Sequence, residues 1–254
     1  MRMNSKFVLG VVTFASLMLT SCGSSHYQLN SIKVSRTSMN DRFEAVKDQE
    51  AVALIEPFKT QLEGTMNSVI GQAAISMDRN RPEDLLGNLV ADVLRQAATR
   101  VLPQPAEVGL MNMGGIRNVL SEGDITVGNV FEILPFENAL CVVKIKGAQL
   151  KRLFEQVAGR GGEAISGARI EISKGELLKA EVGGQPIDDE RVYTLATIDY
   201  LAEGNDGMTA LREAISKEFP ENSVLRDVFM DYVKQCTAKG EKLTSKVEGR
   251  VTVK

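Results

Sequence analysis

The stretch Pro82 to Arg117 reads PEDLLGNLVADVLRQAATRVLPQPAEVGLMNMGGIR, and its two halves decide the kind of fold. In the first half Leu85, Leu86, Leu89, Val90, Val93, Leu94 and Ala97 recur at helical spacing and lay a wide apolar stripe along a helix. Pro82 falls at the first helical position, with Glu83 and Asp84 in the first turn. A fixed φ and negative charge both favour a helix start there. The stripe stops near Pro103. In the second half, residues 107–111 make a short apolar strand that runs straight into the loop 112–117. This succession predicts helices packed on a sheet.

Working outward, residues 65–77 contain few breakers and predict a strand that ends at the polar run Asp78-Arg79-Asn80-Arg81. Residues 45–63 predict a helix, and the alternation at 32–36 a first strand. On the other side, 138–145 predicts a strand and 147–158 a helix. Strands follow at 169–173, 177–182 and 193–197, separated by Gly, Lys and Asp turns. A second amphipathic helix is expected at 222–239 and a closing strand at 247–253. No repeat, heptad or low-complexity linker interrupts the series. Residues 31–254 therefore read as a single α+β domain, a mixed β-sheet with packed helices.

Residues 1–22 stand apart from that domain. Arg2 and Lys6 form a basic start, and FVLGVVTFASLML (residues 7–19) an apolar run too short to span a bilayer comfortably. The run ends in Leu19-Thr20-Ser21-Cys22, which resembles the lipobox of a lipoprotein signal peptide. Cys22 is then the expected lipid-bearing residue, with 23–30 as a small, polar tether. The expected setting is the bacterial cell envelope, with the chain exported and anchored to a membrane through Cys22.

Composition narrows the function. The 254 residues carry a formal net charge of −3, more negative still without Arg2 and Lys6, and contain no Trp. Neither a basic footprint nor a base-stacking platform for single strands is present, so polymeric nucleic acid is not an expected partner. The lone histidine, His26, lies on the tether. A two-metal phosphatase centre needs several His and Asp ligands, and a Ser-His-Asp or Cys-His arrangement needs a histidine within the domain. No phosphate loop of the GxxxxGK[ST] type occurs. The sequence thus predicts no catalytic residue, no metal site and no cofactor in this chain. Cys141, in the apolar run 139–143, reads as a buried core residue. A bridge from Cys141 to Cys236 is left open, because sequence does not supply the geometry.

The first positive signal is Asn112-Met113-Gly114-Gly115-Ile116-Arg117, placed just after a strand. Two glycines permit a sharp turn and close approach to a ligand. Asn112 offers a donor and an acceptor, and Arg117 a rigid fork for a phosphate or carboxylate. A plain Gly-Gly turn with a solvated Arg has the same pattern. Downstream come Gly123-Asp124-Ile125-Thr126-Val127-Gly128-Asn129-Val130, then Ile133-Leu134-Pro135-Phe136-Glu137-Asn138, and later Tyr200-Leu201-Ala202-Glu203-Gly204-Asn205-Asp206-Gly207.

This ordered series resembles the C-terminal, substrate-binding domain of the 5'-nucleotidase family, with its N-G-G-G-I-R, L-P-F and aromatic-L-A-x-G-G-D-G segments. Residues 82–89 are similar to that family's E-S-x-L-G-N-L segment. The clear motifs span about 79–209, and the looser likeness extends over the mature chain. The resemblance implies that Phe136 and Tyr200 sandwich a nucleobase and that Asp206 accepts the ribose hydroxyls. It implies that Arg117 grips the phosphate and that Asn112 borders the scissile group, with Gly114 and Gly115 giving close approach. Arg81, with Arg79 as the other candidate, stands near a second phosphate-binding Arg, and Asn138 is placed to reach a base edge.

Three positions depart from the family pattern: Met113 and Asn205 replace glycines, and Leu85 stands where many members have Asn. Met113 is expected to narrow or reshape the pocket. In the family a separate metallophosphatase domain holds two metals. The leading expectation is therefore a nucleotide- or nucleoside-binding half that works with a separately encoded metallophosphatase chain. A non-catalytic nucleoside- or nucleotide-binding lipoprotein, and a structural lipoprotein with a relic pocket, remain as alternatives.

Overall fold

The computed structural model describes residues 29–38, 40 and 48–254. The leader, Cys22 and most of the 23–30 tether, including His26, lie outside these residues. The chain separates into two units, Met1–Val52 and Ala53–Lys254. In the first, residues 29–38 form no strand. Leu29, Ile32 and Val34 are all exposed. The alternation at 32–36 lacks a neighbouring strand, and alternation without a partner does not make a sheet.

Helix α1 (Gln49–Met66) has no buried residue. It runs past the expected end, and β1 occupies only Val69–Ala73 of the expected 65–77 strand. The reason is its partner: β1 pairs antiparallel with β3 (Gly123–Thr126), which is only four residues long. Beyond it, Met77 makes a single bridge to Leu120.

Helix α2 (Leu85–Ala97) buries the stripe read from the sequence, including Leu86, Leu89, Val90, Val93 and Leu94. Its start is later than expected. Asp84 is the N-cap, its Oδ1 accepting the Gly87 amide at 2.6 Å, and Pro82 lies outside the helix after a cis Arg81–Pro82 bond. Aspartate at this position satisfies an amide that the first turn leaves without a partner, so it fixes the boundary. Glu83 instead accepts the amides of Glu248 at 2.8 Å and Arg250 at 2.7 Å, which docks the C-terminal segment.

Among the described residues the α+β architecture comprises three sheets. The largest has strand order β10-β4-β9-β2-β5, with β2 Val108–Met111, β4 Leu140–Lys146, β5 Ala164–Ser166, β9 Val192–Ile198 and β10 Ser216–Glu218. It is mixed: β2 runs parallel to β9, and every other pairing is antiparallel. Every residue of β2 is buried, as a central strand covered on both faces requires. At Gly109 a Cβ would collide with the Ala91 carbonyl oxygen, so glycine lets α2 lie directly on this strand.

The second sheet joins β11 (Val251–Val253), β6 (Ala168–Ser173), β7 (Glu176–Val182) and β8 (Gln185–Pro186), with β11 parallel to β6. The third is the β1–β3 pair. Helix α3 (Val127–Ile133) starts at a reciprocal cap between Thr126 and Asn129. Helix α4 (Gly147–Gly159) packs on β7, the short α5 (Asp199–Ala202) continues β9, and α6 (Leu225–Ala238) lies against β1 and α2. Cys141 and Cys236 are both buried free thiols, so no disulfide joins them. Burial raises the Cys141 thiol to about 11, which keeps it protonated and inert. No helix among the described residues is long and apolar enough to cross a membrane.

Candidate functional site

The direction of the strands in the main sheet brings the motif residues together. The parallel strands β2 and β9 end at the same edge, releasing Asn112 and Tyr200 there. The antiparallel strands β4 and β5 begin at that edge, so Phe136 and Asn138 precede β4, and Arg160 precedes β5. Asp206 follows in a 3-10 turn after α5. Loops from four neighbouring strands thus converge on one cleft at a sheet edge, a common place for a ligand in α/β sheets.

The cleft encloses about 410 Å³. One part of its lining is the glycine loop, through Asn112, Gly114, Gly115 and Arg117. The other part is Phe136, Asn138, Arg160, Tyr200 and Asp206. Phe136 is 47% exposed and Tyr200 40%, so two large aromatic rings face solvent where folding alone gains little from them. The Arg117 guanidinium lies 5.9 Å from the Phe136 ring centroid, and its Nη1 donates to the Gly114 carbonyl at 3.2 Å.

Asp206 is the hub of the cleft. Its Oδ1 accepts the Tyr200 hydroxyl at 3.1 Å. Its Oδ2 accepts Asn112 Nδ2 at 2.8 Å and Arg160 Nη2 at 3.3 Å. The hydrogen bond to the Asp206 carboxylate, followed by its negative charge, raises the Tyr200 phenol above its usual range. Asn205 Nδ2 donates to the Tyr200 carbonyl at 2.8 Å, so this replacement for a glycine closes the turn rather than the cleft. Asn112 Oδ1 is buried without a hydrogen-bond partner among the described residues.

Below the cleft sits Glu163, whose side chain is fully buried. Its Oε1 accepts Arg160 Nε and Arg81 Nη2, each at 2.7 Å, and its Oε2 accepts the Met113 amide at 2.6 Å. A buried carboxylate needs such a set of donors to offset its desolvation. The pairing with Glu163 is also the main reason the Arg160 guanidinium is held even more firmly protonated than usual.

Eight of the nine residues singled out from the sequence line this cleft: Asn112, Gly114, Gly115, Arg117, Phe136, Asn138, Tyr200 and Asp206. Arg81 does not. It is turned onto Glu163 and the Gly162 carbonyl, because the buried carboxylate competes for it. Arg79 donates to the Met113 carbonyl at 3.4 Å. The guanidinium that joins Arg117 in the cleft is Arg160, which the sequence reading missed. Its only local signal was its place in Arg160-Gly161-Gly162-Glu163 just after a helix, with both glycines at positive φ.

Met113 corrects another expectation. Its side chain is 3% exposed and belongs to the core, so it does not narrow the cleft. The glycine pair also acts differently from the expected sharp turn, since neither Gly114 nor Gly115 has positive φ. Space is what matters at Gly115: a Cβ there would lie 2.8 Å from Asn112 Oδ1 and would collide with the end of Met111.

The cleft's polar groups are amide, guanidinium and phenol with one carboxylate, which do not fit a two-metal centre. Among the described residues no group of three or more His, Cys, Asp or Glu is placed to hold a metal ion. A second cleft, of about 310 Å³, is lined by Asp92, Arg95, Glu248 and Arg250 among others. Arg250 holds both of its carboxylates, which makes it a structural seam.

The family described as 5'-nucleotidase, C-terminal domain, matches residues 65–213. The chain is 28% identical over 233 residues to the trifunctional nucleotide phosphoesterase protein YfkN of Bacillus subtilis, covering 81% of this chain and 15% of that protein. It is 29% identical over 231 residues to an apyrase of Aedes aegypti, covering 82% and 40%. A 5'-nucleotidase precursor from Thermus thermophilus superposes with a TM-score of 0.70 at 27% identity, covering 82% of this chain and 43% of that one. The chain therefore spans less than half the length of each of these relatives.

Proposed function

The chain belongs to the 5'-nucleotidase C-terminal domain family, and from that premise we propose that it binds a nucleoside or nucleotide in the cleft between Asn112 and Asp206. In this reading it presents the phosphate to a separately encoded metallophosphatase chain in the bacterial envelope, held there through a lipid on Cys22. One observation carries the proposal: two exposed aromatic rings, a carboxylate and two guanidiniums meet at a single sheet edge.

Each group has a physical task. Phe136 and Tyr200 offer flat apolar faces on which any base stacks. Asn138 stands beside Phe136 with an amide for a base edge. Asp206 is the acceptor for sugar hydroxyls. Arg117 and Arg160 supply positive forks for phosphate oxygens, and a guanidinium pairs with them in a planar, two-bond geometry. Asn112 borders the phosphate from the glycine loop, where Gly115 keeps the backbone bare. The partner would supply the two metals and the activated water, and this chain's residues bind and orient.

Calorimetric titration of the full chain in detergent with AMP and with adenosine tests the reading. Both ligands are expected to bind, and Phe136→Ala or Tyr200→Ala to weaken both by roughly tenfold, the scale of one lost stacking face. Absence of binding by either ligand at millimolar concentration overturns the proposal. For the partnership, the tagged chain is expected to retain a metallophosphatase from envelope extracts, and retention of none argues against it.

A further inference from the structure

The opposite edge of the main sheet, where β2 and β9 begin and β5 ends, is also hollowed. The 310 Å³ cleft over the Arg250 seam adjoins there a hollow of about 460 Å³, and Arg95, Gly167 and Gly183 line both. The carboxylates of this region are taken. Arg250 holds Asp92 and Glu248, and Arg191 holds Glu107.

Two guanidiniums are left without an acid. Arg169, exposed on β6, makes no side-chain hydrogen bond or ion pair among the described residues. Arg95 is half-buried, and it meets only neutral oxygens. Its Nε donates to Ser166 Oγ at 2.8 Å and its Nη1 to the Ala106 carbonyl at 3.4 Å. A guanidinium that leaves the surface is normally paired with a carboxylate, and most of Arg95's N–H groups have no acceptor.

Arg95 is also held in place. Ser166 accepts its Nε while donating to Asp92 Oδ1, which Arg250 fixes. Its stem runs under two glycines. A Cβ on Gly109 would lie 3.1 Å from Arg95 Cβ, and one on Gly167 3.2 Å from its Cδ. Beside it the Gly183-Gly184 turn, with both φ positive, leaves open space where side chains would stand.

We infer that Arg95 and Arg169 form an anion site, separate from the nucleoside cleft, that takes a phosphate group as the free ion or as a phosphomonoester. A phosphate offers oxygens to two guanidiniums at once, whereas a single carboxylate is satisfied by one fork. The glycine turn lets it approach without a side chain in the way. This site stands independently of the nucleoside reading.

The test is calorimetric titration of the full chain with orthophosphate, against chloride at equal ionic strength. Arg117→Gln serves as the parent, so that the other cleft contributes little. Orthophosphate is expected to bind this parent, about tenfold more weakly after Arg95→Gln and about threefold more weakly after Arg169→Gln, whose side chain is more exposed. Arg169→Gln removes no contact within the chain, so its loss does not come from misfolding. Glycerol 3-phosphate in a parallel titration separates the sources, the tighter binder being the form the site takes. Affinity unchanged in both variants overturns the inference. So does a parent that binds no orthophosphate at about 10 mM, or one that binds chloride equally well.

Discussion

Asp206 sits at φ 53°, in the left-handed region that Asp and Asn tolerate better than most residues, and this places its carboxylate between three donors. The Tyr200 phenol is raised because the carboxylate favours its protonated form. Replacing that charge removes the cause, so Asp206→Asn is expected to bring the Tyr200 titration back down toward the usual phenol range. Absorbance of the phenolate against pH, with Tyr200→Phe as the subtracted control, measures this. An unmoved titration would mean that the hydrogen bond is not formed in solution. At the same scale, the identity of the motif residues was legible from sequence, but Arg81 was misplaced. Whether an arginine faces a cleft or a buried carboxylate depends on Glu163, which lies 82 residues away in the chain.

Helix α2 owes its place to the local code. Its stripe is periodic, and Asp84 caps it. Asp84→Ala is expected to cost about 1 kcal/mol in urea unfolding, the usual loss for a removed N-cap. Burial is the main cause holding the Asp84 carboxyl above its ordinary value, against the pull of the amides it caps. A folded pKa above the unfolded one means that this residue's contribution is fully present below the unfolded pKa and is lost as pH rises through the folded one. Asp84→Asn keeps an acceptor without the charge. It is therefore expected to match or exceed wild type at pH 7 and to lose any advantage in acid. Elements without such local signals were misread. The expected 65–77 strand shrank to Val69–Ala73 because β3 offers no longer a partner, and the 247–253 strand shrank to Val251–Val253 beside β6.

At the scale of the molecule, the C-terminal segment ties the layers together. Arg250 is 8% exposed and grips Asp92 of α2 with two 2.8 Å bonds, while its Nη1 also reaches the Ile165 carbonyl of β5 at 3.0 Å. Two parallel bonds to one carboxylate suit a guanidinium and not an ammonium. Arg250→Ala is expected to cost roughly 2–3 kcal/mol, below the range for a wholly buried pair because Asp92 is partly exposed. Arg250→Lys should recover little of it. Chemical denaturation of both variants reads the difference, and a loss under about 0.5 kcal/mol would show the clamp to be incidental.

By itself the sequence determined the α+β class, the main helices and strands and the motif residues, because helical periodicity, apolar runs and glycine signals are written within short windows. Eight residues of the cleft are legible as motif residues in the sequence, since residue type alone declares what can stack, donate or accept. Only the tertiary structure decided that β2 and β9 run parallel with β4 and β5 opposed, which gathers those residues at one edge. It also decided that Met113 turns into the core, that Arg160 replaces Arg81 in the cleft, and that Asp206 is met by three donors. Met113 follows the packing of the core, the arginines follow competition between groups far apart in the chain for the Glu163 and Asp206 carboxylates, and no local pattern records either outcome.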